Sequence, residues 1–347
     1  MHPKYFFFLF ILLGGCICNP NNTYEYNTGK LPETPVNLKL VNSGFDDYNM
    51  ALPIIHYELY LMFSSNRNSQ GEDFDIVGGN YFFEWNQEDG TFRIGEAFDD
   101  YWNQYITIRS HINGPGNELG PLAYQISYYE NQTELPNDFM LYSTDTVGGP
   151  YNIYLSYLHF DNGRPTDSVI NIPLPGINSE YDDLYLSFYG YDENNYQYIS
   201  NEYTSEEMYL CNNSEGAFNI YKIKIPENTG VPQFLMSEEE KTLEKLSLNS
   251  DANDKCPFII GDILLFASDR EGGQGGFDIY YCLRDGDQWS EPKNLGPKIN
   301  TEYNEYRPVS SVFWEYENDL VLFSSDRPGG MGGYDLYYAG TDKFRQE

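Results

Sequence analysis

Along residues 264–280, LLFASDREGGQGGFDIY, and residues 322–337, LFSSDRPGGMGGYDLY, an apolar run breaks at Ser-Asp-Arg, passes two Gly-Gly pairs and resumes as aromatic-Asp-aliphatic-Tyr. The flanking runs alternate with period two, which predicts strands that each bury one face. The break predicts a demanding hairpin turn, in which glycine reaches positive φ without Cβ strain and a short Ser or Asp side chain bonds the turn's own backbone. The stretch recurs in degraded form at 59–77, 140–154 and 208–221. A second element alternates with it, at 36–47, 106–118, 171–183, 245–255 and 294–305.

The second element carries a marker asparagine: Asn42, Asn113, Asn178, Asn249 and Asn300, spaced 71, 65, 71 and 51 residues apart. Such units hold four short strands with their loops, the size of one propeller blade and too long for a β-helix coil. Each is expected to run as an inner strand, a second strand ending in Ser-Asp-Arg, a third carrying Asp-Ile-Tyr, and an outer strand ending at the marker. The last hairpin has no outer strand after it, whereas Val36 to Val41 is an outer strand with no blade before it. The economical reading is an all-β, five-bladed β-propeller closed by pairing this N-terminal strand with the last blade, which removes the open edge; six blades are the alternative. The domains expected are a leader over 1–15, a tether over 16–35 and a single propeller over 36–347.

Composition agrees with strands and turns: Tyr 33, Phe 22, Gly 31 and Pro 19. A net charge of −33 with only 20 Lys and Arg argues against a nucleic-acid partner, which needs clustered cations. Lys4 followed by an apolar run from Tyr5 to Leu13 reads as an export signal too short to span as a permanent helix. Leu13-Gly14-Gly15-Cys16 resembles the bacterial lipobox, which implies cleavage before Cys16 and lipidation of its thiol, hence a membrane held through a lipid anchor. The expected location is the outer membrane, with the periplasmic side favoured and the cell surface as the alternative. Cys18, Cys211, Cys256 and Cys282 fit no zinc spacing, and unpaired buried thiols are expected.

The segment SSDRPGGMGGYDLY, with WSEPKNLGPKINTEYNEYRPV before it, resembles the TolB-type, WD-like propeller repeat of bacterial (Bacteroidetes-like) envelope proteins. The likeness is strong over 254–340 and in phase over 36–253. It implies a lipid-anchored, non-enzymatic module that binds or scaffolds envelope or outer-membrane proteins. A glycan-binding or carbohydrate-active propeller, in the extreme a glycoside hydrolase, is the competing class.

Site candidates follow from where the repeats agree and where they differ. Ser268, Asp269, Arg270, Asp278, Ser325, Asp326, Arg327 and Asp335 belong to the blade turns and are expected to be structural. The between-blade loops gather carboxylates on one face, where Asp47, Asp183, Asp254 and Glu305 make a candidate calcium rim; the alternative is pairing of these acids with Arg67, Arg270 and Arg327. No other cofactor is expected. The segments 84–102 and 189–203 are read as irregular aromatic insertions, whose Trp85, Trp102, Tyr189, Tyr191, Tyr196 and Tyr198 form a candidate recognition surface. No catalytic motif stands out: there is no Gly-x-Ser-x-Gly elbow and no His-Glu-x-x-His.

Overall fold

The computed structural model describes residues 26, 28–51, 58–97, 104–125, 138–145, 148–161, 164–190, 205–311 and 316–345. The leader, Cys16, Cys18, Trp102, Tyr191, Tyr196 and Tyr198 lie outside them.

Five antiparallel sheets succeed one another as blades. A short strand β1 (Val36–Asn37) precedes the first. Blade one contains β2 (Asp47–Ala51), β3 (Glu58–Ser65), β4 (Asp75–Asn86) and β5 (Thr91–Glu96), and is followed by helix α1 (Gln104–Ile112). Blade two contains β6 (Glu118–Gln125), β7 (Asp138–Asp145), β8 (Tyr151–Asp161) and β9 (Arg164–Pro173). Blade three contains β10 (Asp183–Tyr189), β11 (Glu207–Glu215), β12 (Ala217–Lys224), helix α2 (Val231–Met236) and β13 (Glu244–Lys245). Blade four contains β14 (Asp254–Ile260), β15 (Ile263–Ser268), β16 (Asp278–Asp285), β17 (Gln288–Trp289) and β18 (Lys293–Asn294). Blade five contains β19 (Glu305–Ser311), β20 (Asp319–Ser325) and β21 (Asp335–Thr341), with β1 as its fourth strand.

The inner strands β2, β6, β10, β14 and β19 touch in cyclic order, the fifth against the first. Closure is as the strand count predicts: Val36 pairs with Tyr338 and Asn37 with Tyr337. The seam continues beyond the strand. Leu31, Leu38 and Val41 are buried beside Leu322, Leu336 and Tyr338. Leu31 also exchanges backbone hydrogen bonds with the Asn318 side chain, at 2.9 and 3.0 Å. Residues 28–34 are therefore seated against blade five.

Each marker asparagine substitutes for a missing rung of the sheet. Asn300 accepts from the Ile279 amide and donates to the Ile279 carbonyl, at 2.8 and 3.0 Å. Asn42, Asn113, Asn178 and Asn249 treat Leu336, Ile76, Ile153 and Ile220 in the same way. The side-chain amide thus satisfies the third strand's backbone where the outer strand no longer does.

Two readings of the second element change. Residues 104–112 form α1, not an outer strand; that strand is β5, which pairs with β4 inside the segment read as an irregular insertion. The β-branched run Ile-Thr-Ile has strand propensity, but Ile108 and Ile112 lie four apart on one helix face and are buried against Tyr60 and Tyr142, and packing outweighs intrinsic preference. The four glycines of each strong turn also divide their labour. Gly272 and Gly329 take positive φ in open space, whereas a Cβ on Gly275 or Gly332 would overlap the backbone of Glu302 or Phe45 in the next blade's entry loop. The second pair is glycine because neighbouring blades approach each other there.

Candidate functional site

All five inner strands open with a buried carboxylate: Asp47, Glu118, Asp183, Asp254 and Glu305. Each accepts the backbone amide of the residue that follows the marker asparagine: Ser43, Gly114, Ser179, Ser250 or Thr301. In three blades an arginine two residues beyond the turn serine completes the arrangement. Arg67, Arg270 and Arg327 meet Asp47, Asp254 and Glu305 at 2.6, 2.6 and 2.9 Å, and each also donates to the carbonyl just before the marker. The candidate calcium rim is thus divided among separate loops. Asp183 takes the Asn212 amide instead, and no group of three or more metal-ligating side chains comes together among the described residues.

The remaining turn residues join blade to blade. The Phe277 amide donates to Asn304 Oδ1, and Asn304 donates from its backbone and side chain to Asp326, all within 3.0 Å. Phe218, Asn253 and Asp269 repeat this at the preceding seam. Ser268 and Ser325 accept from Arg270 and Arg327. Asp278 and Asp335 accept the Gln274 and Met331 amides at 2.6 and 2.7 Å. These eight residues are positioned to hold the turns.

Blades two and three lack the arginine, and Thr144 and Asn212 stand where it would be anchored. The consequence falls on the carboxyls. Burial, with Asp75 and Asp145 nearby and only the Gly114 amide and Thr144 hydroxyl in opposition, pushes Glu118 up to about 8. Burial also raises Asp183, against its bonds from Asn212 and Ser179. A raised carboxyl favours the folded state while it is protonated in both states; the contribution is full below the unfolded value near 4.5 and is lost as pH rises through about 8. Between pH 5 and 9 the wild type is expected to lose more of its thermal stability than Glu118→Gln, by several degrees in Tm, and the variant is expected to be the more stable protein at pH 9. Parallel Tm curves for the two would show that Glu118 is not the titrating group.

Over the axis on this face lies a pocket of about 380 Å³. Every blade contributes the second residue of its inner strand: Tyr48, Leu119, Leu184, Lys255 and Tyr306. Four blades add the aromatic that precedes the hairpin Asp or Asn: Tyr151, Phe218, Phe277 and Tyr334. The rings pack edge to face, Phe277 on Tyr306 at 5.2 Å and Tyr48 on Phe74 at 4.6 Å. Burial raises Tyr48 and Tyr306 well above the usual phenol range and brings Tyr151 and Tyr334 to about 12, so the phenols are neutral donors. Lys255 is the cation of the lining, 3.8 Å above the Phe218 ring, and Asp182 is its carboxylate, accepting from the Tyr151 amide and the Asn213 side chain at 3.0 and 2.8 Å.

The sequence reading did not pick out this pocket. Its signal was present: the position before Asp or Asn in the hairpin motif is Phe74, Tyr151, Phe218, Phe277 and Tyr334, aromatic in all five copies. The aromatics that were picked out sit elsewhere. Trp85 lies within β4, edge-on to Tyr316, and donates to the Tyr26 carbonyl; the Tyr189 ring lies 3.7 Å from the Arg284 guanidinium. Cys211, Cys256 and Cys282 are buried free thiols. Burial pushes Cys211 and Cys282 up to about 12.

No family model matches the chain, and no curated protein matches it. Solved structures resemble it over nearly its whole length. A glycoside hydrolase superposes with a TM-score of 0.51 at 10% identity, covering 94% of this chain and 93% of its own. An α-L-arabinofuranosidase from Lactobacillus brevis superposes at 0.49 and 10% identity, covering 90% and 98%. An endo-arabinase from Bacteroides thetaiotaomicron reaches 0.47 at 12% identity, covering 92% and 98%. At 10% identity the first of these likenesses shows a shared fold and nothing finer. The TolB-type resemblance is nevertheless overturned, because the propeller that superposes at 0.51 is a glycoside hydrolase and no family model supports a TolB-type repeat. The inference it carried, a non-enzymatic scaffold for envelope proteins, falls with it.

Proposed function

We propose that this chain is a carbohydrate-active propeller that seats a glycan in the axial pocket. The observation that carries the reading is the pocket itself, in which rings from all five blades surround a concave site holding one cation and one carboxylate. Aromatic faces cover the apolar sides of sugar rings, and neutral phenols with Lys255 and Asp182 supply the few directed polar contacts that orient a ligand. The shared architecture of known glycoside hydrolases supports the same reading at the level of fold. For hydrolysis, the carboxylate that the lining presents to a bound sugar is Asp182. Attachment at the cell envelope through lipidated Cys16 belongs to the same proposal.

Calorimetry against a panel of neutral and uronate-containing oligosaccharides, with reducing-end release measured in parallel, tests it. Phe277→Ala and Tyr334→Ala are each expected to weaken glycan binding about tenfold, which corresponds to about 1.4 kcal/mol. Asp182→Asn is expected to abolish sugar release while leaving binding within a few-fold. Binding without release would reduce the protein to a glycan-binding module; neither binding nor release across the panel would overturn the proposal.

A further inference from the structure

Beneath the pocket, every inner strand bulges at one repeated position, where a residue takes positive φ: Asn49 (57°), Gly120 (59°), Tyr185 (57°), Cys256 (57°) and Arg307 (48°). Four of the five are not glycine, although the left-handed region costs a residue with a Cβ. These bulges turn side chains toward the axis. Tyr185 of blade three lies 4.8 Å from the Arg307 guanidinium of blade five, and a Cβ on Gly120 of blade two would strike the same ring. A contact between blades three and five that also reaches blade two spans the channel.

Arg307 is 2% exposed and has no ion-pair partner among the described residues; its Nε and Nη1 donate to nothing. Asn49 is fully buried, and neither end of its side-chain amide has a partner. The two belong to one seam: the Asn49 backbone amide donates to Ser324 Oγ at 3.1 Å, and Ser324 pairs with Tyr306, the neighbour of Arg307. Among the described residues, the titratable groups around Arg307 supply no negative charge. They are the Tyr185 phenol, the Tyr306 phenol and the Cys256 and Cys211 thiols, all held neutral by burial. The contrast with the turn arginines is sharp, since Arg67, Arg270 and Arg327 each have a buried carboxylate. A buried guanidinium left unpaired is costly, and none of the described carboxylates forms an ion pair with it.

We propose that the axial channel holds a small monovalent inorganic anion of the halide class, bound by Arg307 Nε and Nη1 with Asn49 Nδ2 as a further donor. Tyr185, which lines the pocket above, separates this site from it. A small ion suits the position better than a sugar carboxylate, and the site is independent of whether the pocket takes a glycan. Bound there, the anion would neutralise the guanidinium and join the inner strands of blades one and five.

Bromide is the probe. Crystals of the full chain grown with bromide in place of chloride are expected to show an anomalous peak within about 3.5 Å of Arg307 Nε or Nη1. Water refined at that position with no anomalous signal, or bromide confined to the surface, overturns the proposal. In solution, bromide is expected to raise the wild-type Tm by several degrees over gluconate at equal ionic strength, and Arg307→Met is expected to lose that response. An unchanged bromide response in Arg307→Met would also overturn it. If that variant does not fold, the anomalous experiment on the wild type decides alone.

Discussion

Deleting residues 1–42 is expected to abolish cooperative folding of the ring, although every blade strand except β1 remains. The deletion removes the strand paired with β21, the buried side chains of Leu31, Leu38 and Val41, and the Asn42 amide that satisfies both backbone groups of Leu336. Each of the three apolar side chains contributes about 1.5–3 kcal/mol of burial. Their sum is comparable with the whole stability of an ordinary domain, about 5–15 kcal/mol. Opening the edge of β21 adds unpaired backbone to the loss. Calorimetric unfolding with near-ultraviolet circular dichroism is the measurement, and adding a peptide spanning 28–42 in trans is expected to restore part of the transition. A truncated chain that melts within about 2 °C of the full one, a shift worth less than about 1 kcal/mol, would show that closure contributes little.

Arg327→Met is expected to cost about 3–5 kcal/mol, because it leaves the fully buried Glu305 carboxylate without a counter-charge. The Thr301 amide and hydroxyl and the Ser325 hydroxyl would remain as its donors, at 2.7, 2.7 and 3.0 Å. Glu305→Gln in the same background is expected to recover much of the loss, since it removes the charge and keeps the shape. A denaturant double-mutant cycle reads the coupling directly. A single variant within about 1 kcal/mol of the wild type would place this pair among ion pairs of little worth. Blades two and three show how the protein manages without the arginine: Glu118 and Asp183 carry raised pKa values instead.

The fold was legible because the hairpin turn and the marker asparagine recur in phase in all five units, strongly in blades four and five, where Ser-Asp-Arg is kept, and in degraded form in the others. Closure was legible by the same accounting, since an outer strand stood without a blade. Helix α1 was not, because burial of Ile108 and Ile112 is a tertiary matter that the local Ile-Thr-Ile run misrepresents. The pocket was partly legible in the five hairpin aromatics, but Tyr48, Leu119, Leu184, Lys255 and Tyr306 share no residue type and converge only through the ring. The axial bulge left no trace at all: Asn, Gly, Tyr, Cys and Arg occupy it. The TolB-type likeness misled for a related reason, in that its matching residues are those that shape a blade turn, and turn chemistry is common to propellers of different function.

The seam at β1 bears on time as well as on free energy. An open array of repeats loses its terminal unit first and unravels inward, one interface at a time. Here the inner strand of blade five rests against that of blade one, and β1 fastens the outer edge of blade five. No blade is terminal, so the first one to leave must break two interfaces at once. Contacts that must break before the first blade leaves slow unfolding, so the closed ring favours persistence of the folded state over rapid exchange with open forms.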